Sequence, residues 1–436
     1  MNRPDIRRLP KRANPQEALE ILLDAVRSNV MLSETIPIEK CLGRILAKDV
    51  FSNFNIPEYD KTFIDGYAVN PEDTKAASTT NPVTLKIIGK LFPADYPTTA
   101  EISRCETVYV ACGSAIPKGA AATVKVEETR LHEGAIEIRR EIKTGEGIIP
   151  IGDDVKKGNL ILSKGQVLRP QDIGLLASIQ MTTAEVLRKP RISIISGGDE
   201  LIKQCKRDPT KIANNYALVV AGLASELGAA IRIKGIMPDV LDQVKDKINE
   251  ALKSSDIVVT IGGSSVGVKD FVPDAINAIG EPGVVVQGVL LRPGAISGFG
   301  LVSGKPIIML PGHIGSCVAG FYLFVAPLIS LYSGLGRNVI PPSVNAELNK
   351  EIENGPQFRF LLVNVRRVDE KLVADPVEGG SSALTTIVKS NGYTIISPHT
   401  NLKKGTKVRV TLFGRLELTQ LSATRRVIED LTRCNT

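Results

Sequence analysis

Hydrophobic and polar positions alternate with different periods in different parts of the chain. Behind Asn14-Pro15, apolar residues recur at helical spacing, which predicts a helix with Asn14 as its N-cap. From Ile36 to Val155 the pattern changes to short β-prone runs between Gly and Pro residues, as at 83–88, 107–111 and 122–126. This stretch predicts a small β-rich unit. A helical pattern returns at 170–178.

Beyond a basic hinge at 188–190, strand and helix patterns alternate. Strands are predicted at 191–196, 231–237, 256–261 and 306–310, and helices at 217–227 and 240–252. Such alternation indicates βαβ units, with a parallel sheet and helices on both faces. After Pro341-Pro342, short strands at 361–368, 393–397 and 407–412 predict a small C-terminal β-domain. The polar tail from Arg415 has a helical tendency.

Composition narrows the class of protein. A chain of 436 residues is expected to form two to four domains, and 43% hydrophobic with 23% charged residues is ordinary for a soluble protein. The net charge of +7 suits an anionic partner, but the absence of Trp argues against a single-strand nucleic-acid binder. No apolar segment follows the basic N-terminus, and the stretch 317–332 is short for a membrane span, so we interpret it as a buried helix. Six isolated cysteines are typical of free thiols, and we expect a cytoplasmic protein without nucleic-acid or membrane partners.

The strongest chemical signal is a glycine-rich loop after each of three predicted strands. These loops are 196–200, 262–267 with Asp270 just beyond, and 311–313. The carboxyl ends of parallel strands lie on one edge of a sheet, so we expect the loops to converge there. Glycine lets a phosphate approach the backbone, although Gly-Gly also simply makes tight turns. None of the loops has a P-loop or dinucleotide-binding pattern, which excludes ordinary NTPases and dehydrogenases.

These loops supply the candidate site. A carboxylate beside a phosphate loop repels the ligand unless a divalent cation lies between them, which implies Mg²⁺ held by some of Glu200, Asp239 and Asp270. For Asp239 alone, a solvated surface charge is the alternative interpretation. The expected ligand-binding residues in the loops are Gly197, Gly198, Gly262, Gly263, Ser264, Ser265, Pro311, Gly312 and His313.

The chain resembles the molybdopterin molybdenumtransferase family, of the MoeA and gephyrin E-domain type, from about Asn14 to Leu412. Each matching motif is modest, but their shared order along the chain is highly specific. The matches are 43–47 to G-R-x-L-A, 57–68 to P-x-[FY]-D-x-S-x-M-D-G-Y-A, 112–127 to T-G-A-x-x-P-x-G-A-D-A-V-V-x-x-E, 196–201 to S-T-G-D-E-L, 262–270 to G-G-V-S-V-G-x-x-D, 292–294 to K-P-G, 310–312 to the start of L-P-G-N-P, and 391–392 to part of A-N-G.

The resemblance implies four domains: an elongated helical domain of two segments (1–47 and 148–187), a β-rich insertion (48–147), a molybdopterin-binding α/β domain with a central parallel sheet (188–335) and a β-barrel-like C-terminal domain (336–436). It implies a homodimer in which the insertion of one subunit reaches the α/β crevice of the other. It also implies the reaction, in which adenylylated molybdopterin and molybdate give molybdenum cofactor and AMP. The upstream pterin adenylyltransferase is then an expected partner.

Residue by residue, Asp65 matches the insertion-domain carboxylate that faces the partner's crevice, and the acidic site residues Glu200, Asp239 and Asp270 join it as the expected catalytic set. Arg292 stands where the family has a Lys on the molybdate side, which replaces a compact ammonium by a planar fork.

The chain also departs from the family pattern near the expected oxyanion. The last two residues of L-P-G-N-P are replaced by His313 and Ile314, and the second basic residue after K-P-G is replaced by Ala295. In the insertion, the Thr before G-A is Cys112, the Asp of G-A-D-A is Ala121, and the family's Asn-Ile-Arg is replaced by residues 147–149. His313 is a replacement anion ligand or a loop-capping residue. These losses leave two alternatives open: a paralogue that handles tungstate or binds the pterin without inserting metal, and a non-enzymatic scaffold.

Overall fold

The computed structural model describes residues 12–27, 32–203, 208–265, 267, 270–334 and 342–413. The chain folds as two compact units: residues 34–186 form one, and the described residues up to Ser33 form the other together with those from Leu187 onward. This division is coarser than the four domains expected from the sequence, so their boundaries remain predictions.

The first helix, α1 (Pro15–Ala25), begins as the sequence predicts. The Asn14 side chain accepts a hydrogen bond of 2.9 Å from the backbone N–H of Gln16, which satisfies one of the free donors of the first turn. Ala18 and Leu22 are fully buried and belong to the same hydrophobic core as the α/β sheet described below. The apolar spacing of this helix is therefore explained by its packing in the unit that contains the α/β sheet.

The unit formed by residues 34–186 is mainly β-structure. A six-stranded sheet with the order β7-β4-β6-β5-β9-β8 contains the fully buried Leu85, Ile136 and Ile138. This sheet confirms the β-rich insertion. A separate small core surrounds Leu46 and Leu176. The elements are β1 (Ser33–Pro37), β2 (Val50–Phe51), β3 (Lys61–Thr62), β4 (Gly66–Val69), β5 (Val83–Leu91), β6 (Glu106–Val110), β7 (Ala122–Lys125), β8 (Thr129–His132), β9 (Ala135–Ile138), β10 (Ile148–Ile149), β11 (Leu160–Leu162), α2 (Pro170–Ser178) and β12 (Thr183–Leu187).

The α/β domain is built on a six-stranded mixed sheet with the order β16-β13-β17-β21-β20-β18. Its buried strands alternate with helices along the chain, as the sequence pattern predicts. The elements are β13 (Arg191–Gly197), β14 (Leu201–Ile202), β15 (Ile212–Ala213), α3 (Tyr216–Glu226), β16 (Ala230–Met237), α4 (Leu241–Ser254), β17 (Ile257–Ile261), α5 (Val272–Ile279), β18 (Pro282–Gln287), β19 (Leu291–Arg292), β20 (Gly298–Val302), β21 (Lys305–Leu310), α6 (Ile314–Gly320) and α7 (Ala326–Tyr332).

The sheet is parallel through β16, β13, β17 and β21, which confirms the predicted parallel core. Beyond β21, strands β20 and β18 are antiparallel, an extension that the sequence analysis did not foresee. The local signal is the hairpin turn at Ser303-Gly304, where both residues have positive φ (50° and 74°) and Val302 pairs with Lys305. A two-residue turn of this kind joins antiparallel strands, and X-Gly is its usual sequence.

A long apolar helix follows the sheet. It consists of α6, a π-helical turn at Phe321–Val325, and α7, so that Ile314–Tyr332 is 19 residues long and, by length and composition alone, apolar enough to cross a membrane. Within its most apolar window 72% of the segment is buried inside the protein. We conclude that this segment is a core helix, which confirms the prediction made from the stretch 317–332.

The C-terminal domain is a closed five-stranded β-barrel. Its strand order is β23-β24-β22-β26-β25, and a further pairing of β23 with β25 closes the barrel. Val363 and Val410 are fully buried in its core. β19 of the α/β domain adds to the outside of this sheet by pairing with β23. The elements are β22 (Ser343–Leu348), β23 (Phe358–Val368), β24 (Lys371–Pro376), α8 (Leu384–Val388), β25 (Gly392–Ile396) and β26 (Lys407–Leu412). The helical tendency predicted from Arg415 lies outside the described residues.

Candidate functional site: a cavity between the α/β domain and the barrel

The three glycine-rich loops meet at the carboxyl edge of the parallel strands. A Cβ added at Gly262 would lie 2.9 Å from the carbonyl oxygen of Gly197, and one added at Gly312 would lie 3.8 Å from the Cα of Gly262. Gly262 also has φ +81°, a conformation that side chains other than glycine rarely adopt. The convergence that the strand order predicted is therefore present, and it depends on glycine for close backbone approach.

A cavity of about 1620 Å³ opens over these loops, and the barrel supplies part of its wall through residues 353–362 and 377–386. This volume exceeds the range of about 300–1,000 Å³ that is usual for small-ligand pockets, so there is room for an extended ligand. The structure brings together at this cavity every residue predicted in the α/β domain: Gly197, Gly198, Glu200, Asp239, Gly262, Gly263, Ser264, Ser265, Asp270, Arg292, Pro311, Gly312 and His313.

The three carboxylates predicted from the sequence are held in different ways. The Asp270 carboxylate accepts a hydrogen bond of 2.6 Å from the Gly267 backbone N–H, which closes the end of the second loop. Asp239 and Asp199 exchange backbone-to-carboxylate hydrogen bonds of 3.4 and 3.2 Å. The Glu200 carboxylate folds against Gly198, whose added Cβ would lie 2.5 Å from it. Across the described ranges, no group of three His, Cys, Asp or Glu side chains could hold a metal ion. The predicted magnesium ligands therefore share a cavity without forming a metal cage of their own.

A pair of arginines forms another part of the wall. Arg292 in β19 is the Cα partner of Arg359 in the parallel strand β23, so that the two side chains lie on the same face of the sheet. Both residues line the cavity, and neither guanidinium is ion-paired with a carboxylate in the part of the chain that the structure describes. The Arg359 side chain donates a hydrogen bond of 3.3 Å to the Glu353 carbonyl oxygen. Sequence reasoning missed Arg359, because it resembles any charged residue on a β-strand.

His313 lies at the N-cap position of α6 with an extended backbone (φ −106°, ψ 130°), but its side chain makes no capping hydrogen bond. The imidazole lies in the cavity wall instead. Behind it, Cys317 is fully buried, and burial raises the pKa of this thiol to about 12. Cys317 therefore stays protonated and acts as a small apolar residue of the core.

Asp65 lies in the compact unit of residues 34–186 and is not among the residues that line the cavity. Its carboxylate accepts a hydrogen bond of 3.0 Å from the backbone N–H of Cys112. Burial, followed by the negative charge of Asp65, raises the pKa of Tyr109. Asp65 and the thiol-bearing Cys112 are both exposed, so they form a surface feature of this unit. The role of Asp65 stays a prediction.

The parallel sheet, its glycine loops and the cavity closed by a barrel define a multidomain α/β protein with a large ligand-binding crevice at the carboxyl edge of the sheet. Three family models match the chain in order: the MoeA N-terminal region (domain I and II) at residues 13–179, a probable molybdopterin binding domain at 193–330, and the MoeA C-terminal region (domain IV) at 345–413. The chain belongs to the MoeA family, and its role is in molybdenum cofactor biosynthesis.

Individual relatives agree with this assignment. The chain is 33% identical to the molybdopterin molybdenumtransferase of Bacillus subtilis, over 87% of this chain and 90% of the relative. It is 32% identical to the protein of the same name from Staphylococcus aureus strain COL, over 79% of this chain and 82% of the relative. A solved structure of the molybdopterin biosynthesis MoeA protein from Pyrococcus horikoshii has a TM-score of 0.81 and 32% identity, covering 93% of this chain and all of that one.

Proposed function

We propose that this chain is a molybdopterin molybdenumtransferase that inserts molybdate into adenylylated molybdopterin and releases AMP. The observation that carries the proposal is the cavity itself, where glycine loops and a pair of adjacent arginines line a volume of about 1620 Å³. Both bacterial relatives carry the name of a transferase, which supports an enzyme over a scaffold. The four described cysteines are free thiols, which fits the proposed cytoplasmic location.

The glycine loops would bind the phosphate groups of the pterin. Gly197, Gly262 and Gly312 present backbone without side chains at one edge of the sheet, and a phosphate can approach such a surface closely. The carbonyl oxygen of Gly197 lies 2.9 Å from where a Cβ at Gly262 would be, so the loops are already close together without a ligand. A preorganised site loses less free energy in ordering itself around the ligand.

The arginine pair would hold the oxyanion. Molybdate carries two negative charges, and burying them without cationic or hydrogen-bonding partners is costly. The family's second basic residue is replaced by Ala295, but Arg359 brings a second guanidinium from the barrel to the side of Arg292. Two planar forks offer bidentate hydrogen bonds to an oxyanion. We therefore propose that Arg359 compensates for the charge lost at Ala295.

Magnesium is supported less well than the two substrates. The residues Glu200, Asp239 and Asp270 do not form a three-ligand cluster, as described above. They fit only an ion that takes most of its ligands from substrate phosphates and water, as Mg²⁺ often does. No step of the proposed reaction is therefore assigned to this ion.

The proposal is tested by reconstitution. Purified protein is incubated with adenylylated molybdopterin and either molybdate or tungstate, and AMP release and cofactor formation are measured separately. Molybdate-dependent formation of both products is expected. AMP release without a metal-containing cofactor, or cofactor formation with tungstate alone, would instead support the paralogue that the altered sequence around His313 leaves open.

We also propose a homodimer in which Asp65 of one subunit serves the cavity of the other. The support is the family resemblance together with the absence of Asp65 from the described cavity wall. Two inactive variants, Asp65→Ala and Asp270→Ala, should complement each other when their subunits are mixed and allowed to exchange. Half of the random dimers then carry one intact site, so about a quarter of the original activity should return for a twofold-symmetric dimer. A mixture that remains inactive, although subunit exchange is demonstrated, would contradict the shared site.

A further inference from the structure

The cavity wall contains an aromatic ring that the proposed chemistry does not yet use. Tyr216 and Phe360 are the aromatic residues among those that line the cavity. Phe360 is only 3% exposed, and its ring stacks on Tyr393 with centroids 4.4 Å apart. Tyr216 is partly exposed and packs on the core, and it has no ring partner within the described ranges. Besides the imidazole of His313, its ring is therefore the aromatic surface of the described cavity wall that a ligand could use.

Two contacts hold the segment that precedes Tyr216 beside the first glycine loop. The short strands β14 and β15 pair in parallel just before it, with Leu201 opposite Ile212. The Asn214 side chain accepts a buried hydrogen bond of 2.7 Å from the Ser196 hydroxyl at the end of β13. Leu201 and Ile212 also line the cavity, and Ile212 is 56% exposed. The cavity wall on the side of this loop thus includes an aromatic ring and two apolar side chains, near the Glu200 carboxylate.

Positive charge is found on the side of the third loop. A Cβ added at Gly294, two residues after Arg292, would lie 3.4 Å from Ala319 in α6, the helix that follows this loop. Strand β17 lies between β13 and β21, and neighbouring strands are about 4.8 Å apart, so the first and third loops are roughly 10 Å apart. A ligand with a flat ring at one end and anionic groups at the other matches this arrangement.

We infer that Tyr216 stacks on an aromatic heterocycle of the bound ligand, while the anionic groups lie toward the glycine loops and the arginine pair. The inference rests on the proposed function only for the choice of ring, because an adenylylated pterin contains two heterocycles, adenine and pterin. Both present a π-face, and stacking on an aromatic side chain does not depend on which base is present. Tyr216 would then determine the orientation in which the ligand enters the cavity.

The experiment uses the intrinsic fluorescence of the whole protein, which has eight tyrosines and no tryptophan to mask them. The probes are AMP, pterin-6-carboxylate and ribose 5-phosphate, the last of which has the phosphate without a ring. Affinities are measured by calorimetry in parallel. Tyr216→Leu keeps the apolar packing but removes the π-face, and Tyr216→Phe keeps the π-face but removes the tyrosine signal. Melting curves of both variants check that the fold is retained.

We expect AMP or pterin-6-carboxylate to quench tyrosine fluorescence in the natural protein. Tyr216→Leu should weaken binding of that probe by about tenfold or more, in line with the usual contribution of one stacked base, and leave ribose 5-phosphate unchanged. Tyr216→Phe should keep the affinity and lose the quenching. Which of the two ring probes responds identifies the stacked heterocycle.

Equal weakening of AMP and ribose 5-phosphate by Tyr216→Leu, or unchanged affinity for both ring probes, would overturn the inference. Its fate is separate from that of the proposed function, because these probes report binding without turnover. A protein that fails to insert molybdate but loses ring binding in Tyr216→Leu would reject the reaction and retain the stacking site.

Discussion

The two sides of the cavity are built by different means. On the glycine side, Gly197, Gly262 and Gly312 shape the backbone locally, each at or just beyond the end of its own strand. On the arginine side, Arg292 and Arg359 come from separate segments of the chain and meet only because β19 pairs with β23. The shape of the cavity is thus encoded locally, whereas its positive charge depends on the docking of the barrel against the α/β domain.

This contrast sets how easily each side tolerates a change of residue. Gly262 has φ +81°, and a Cβ there would lie 2.9 Å from the carbonyl oxygen of Gly197. No other residue readily replaces it. A cation facing an oxyanion is less constrained, because a guanidinium from a neighbouring strand can reach the same volume. We therefore expect substitutions on the glycine side to lower the stability of the fold, and substitutions on the arginine side to lower the affinity for the oxyanion.

The largest effect on activity is expected at Asp270, whose carboxylate is hydrogen-bonded to the second glycine loop. Asp270→Ala removes the carboxylate that accepts the Gly267 N–H at 2.6 Å, and it also removes a negative charge from the cavity. Turnover in the reconstituted reaction should fall by more than about a hundredfold, which is roughly 2.7 kcal/mol in the barrier. Asp270→Asn keeps an acceptor for Gly267 and separates the two contributions.

The matched control for this prediction is Asp242→Ala, which removes an exposed carboxylate from the first turn of α4 and lies outside the cavity wall. Its turnover should stay within about twofold of the natural protein, as for an ordinary surface substitution. An Asp270→Ala enzyme with a normal rate at saturating substrate would show that the second loop binds no reacting group.

The arginine side is tested by Arg359→Gln, which keeps a polar side chain of similar length without the charge. A charge-assisted hydrogen bond contributes about 1.5–3 kcal/mol, so the oxyanion concentration at half-maximal rate should rise roughly ten- to a hundredfold. Arg292→Ala should have a comparable effect. Arg367→Gln, on the same strand β23 but paired with Glu370 outside the cavity, is the control.

If Arg359→Gln and Arg367→Gln have the same oxyanion dependence, the charge lost at Ala295 is not replaced from the barrel. A double variant sharpens the comparison, because neighbouring arginines that share one anion should not be additive. The effect of Arg292→Ala should then be smaller in the Arg359→Gln background than in the natural protein.

The glycine side is tested by Gly262→Ala. The added methyl group would lie 2.9 Å from the Gly197 carbonyl oxygen, and φ +81° is itself unfavourable for alanine. We expect destabilisation by about 1–3 kcal/mol, seen as a lower Tm in calorimetry. Gly222→Ala is a control of opposite sign, because Gly222 lies in helix α3 with open space around its Cβ position. That change should stabilise the protein by about 0.5–1 kcal/mol. Equal melting temperatures of the two variants would mean that the loops are not in close contact.

The same contrast decides what could be predicted from the sequence. Local signals predicted α1 with its Asn14 cap, α2 at residues 170–178 and the helix at 217–227 that corresponds to α3. The convergence of the glycine loops could also be predicted, because strand order in a parallel sheet places loop ends on one edge.

Features that depend on pairing between distant segments could not be predicted in this way. The closure of the barrel through β23 and β25 and the partnership of Arg292 with Arg359 require a register that no short window of sequence contains. The antiparallel strand β20 was missed for a different reason. Its hairpin signal, Ser303-Gly304, is local but lies between two apolar runs that resemble one parallel strand.

The smallest expected effect concerns Ser264, whose hydroxyl is buried in the second loop without a hydrogen-bond partner in the described part of the chain. The family pattern has Val at this position. An unpaired buried hydroxyl costs about 1–3 kcal/mol, whereas the small void left by its removal costs less, so Ser264→Ala should leave stability unchanged or raise it by up to about 1 kcal/mol. Ser196→Ala provides the matched comparison, because Ser196 is equally buried at 1% exposure but donates to the Asn214 side chain at 2.7 Å. That variant should lose about 1 kcal/mol, and Tm measured by calorimetry should shift in opposite directions for the two serines or fall only for Ser196. A clear loss of stability in Ser264→Ala would show that this hydroxyl has a partner in the folded protein, and that the second loop is held by polar contacts as well as by its glycines.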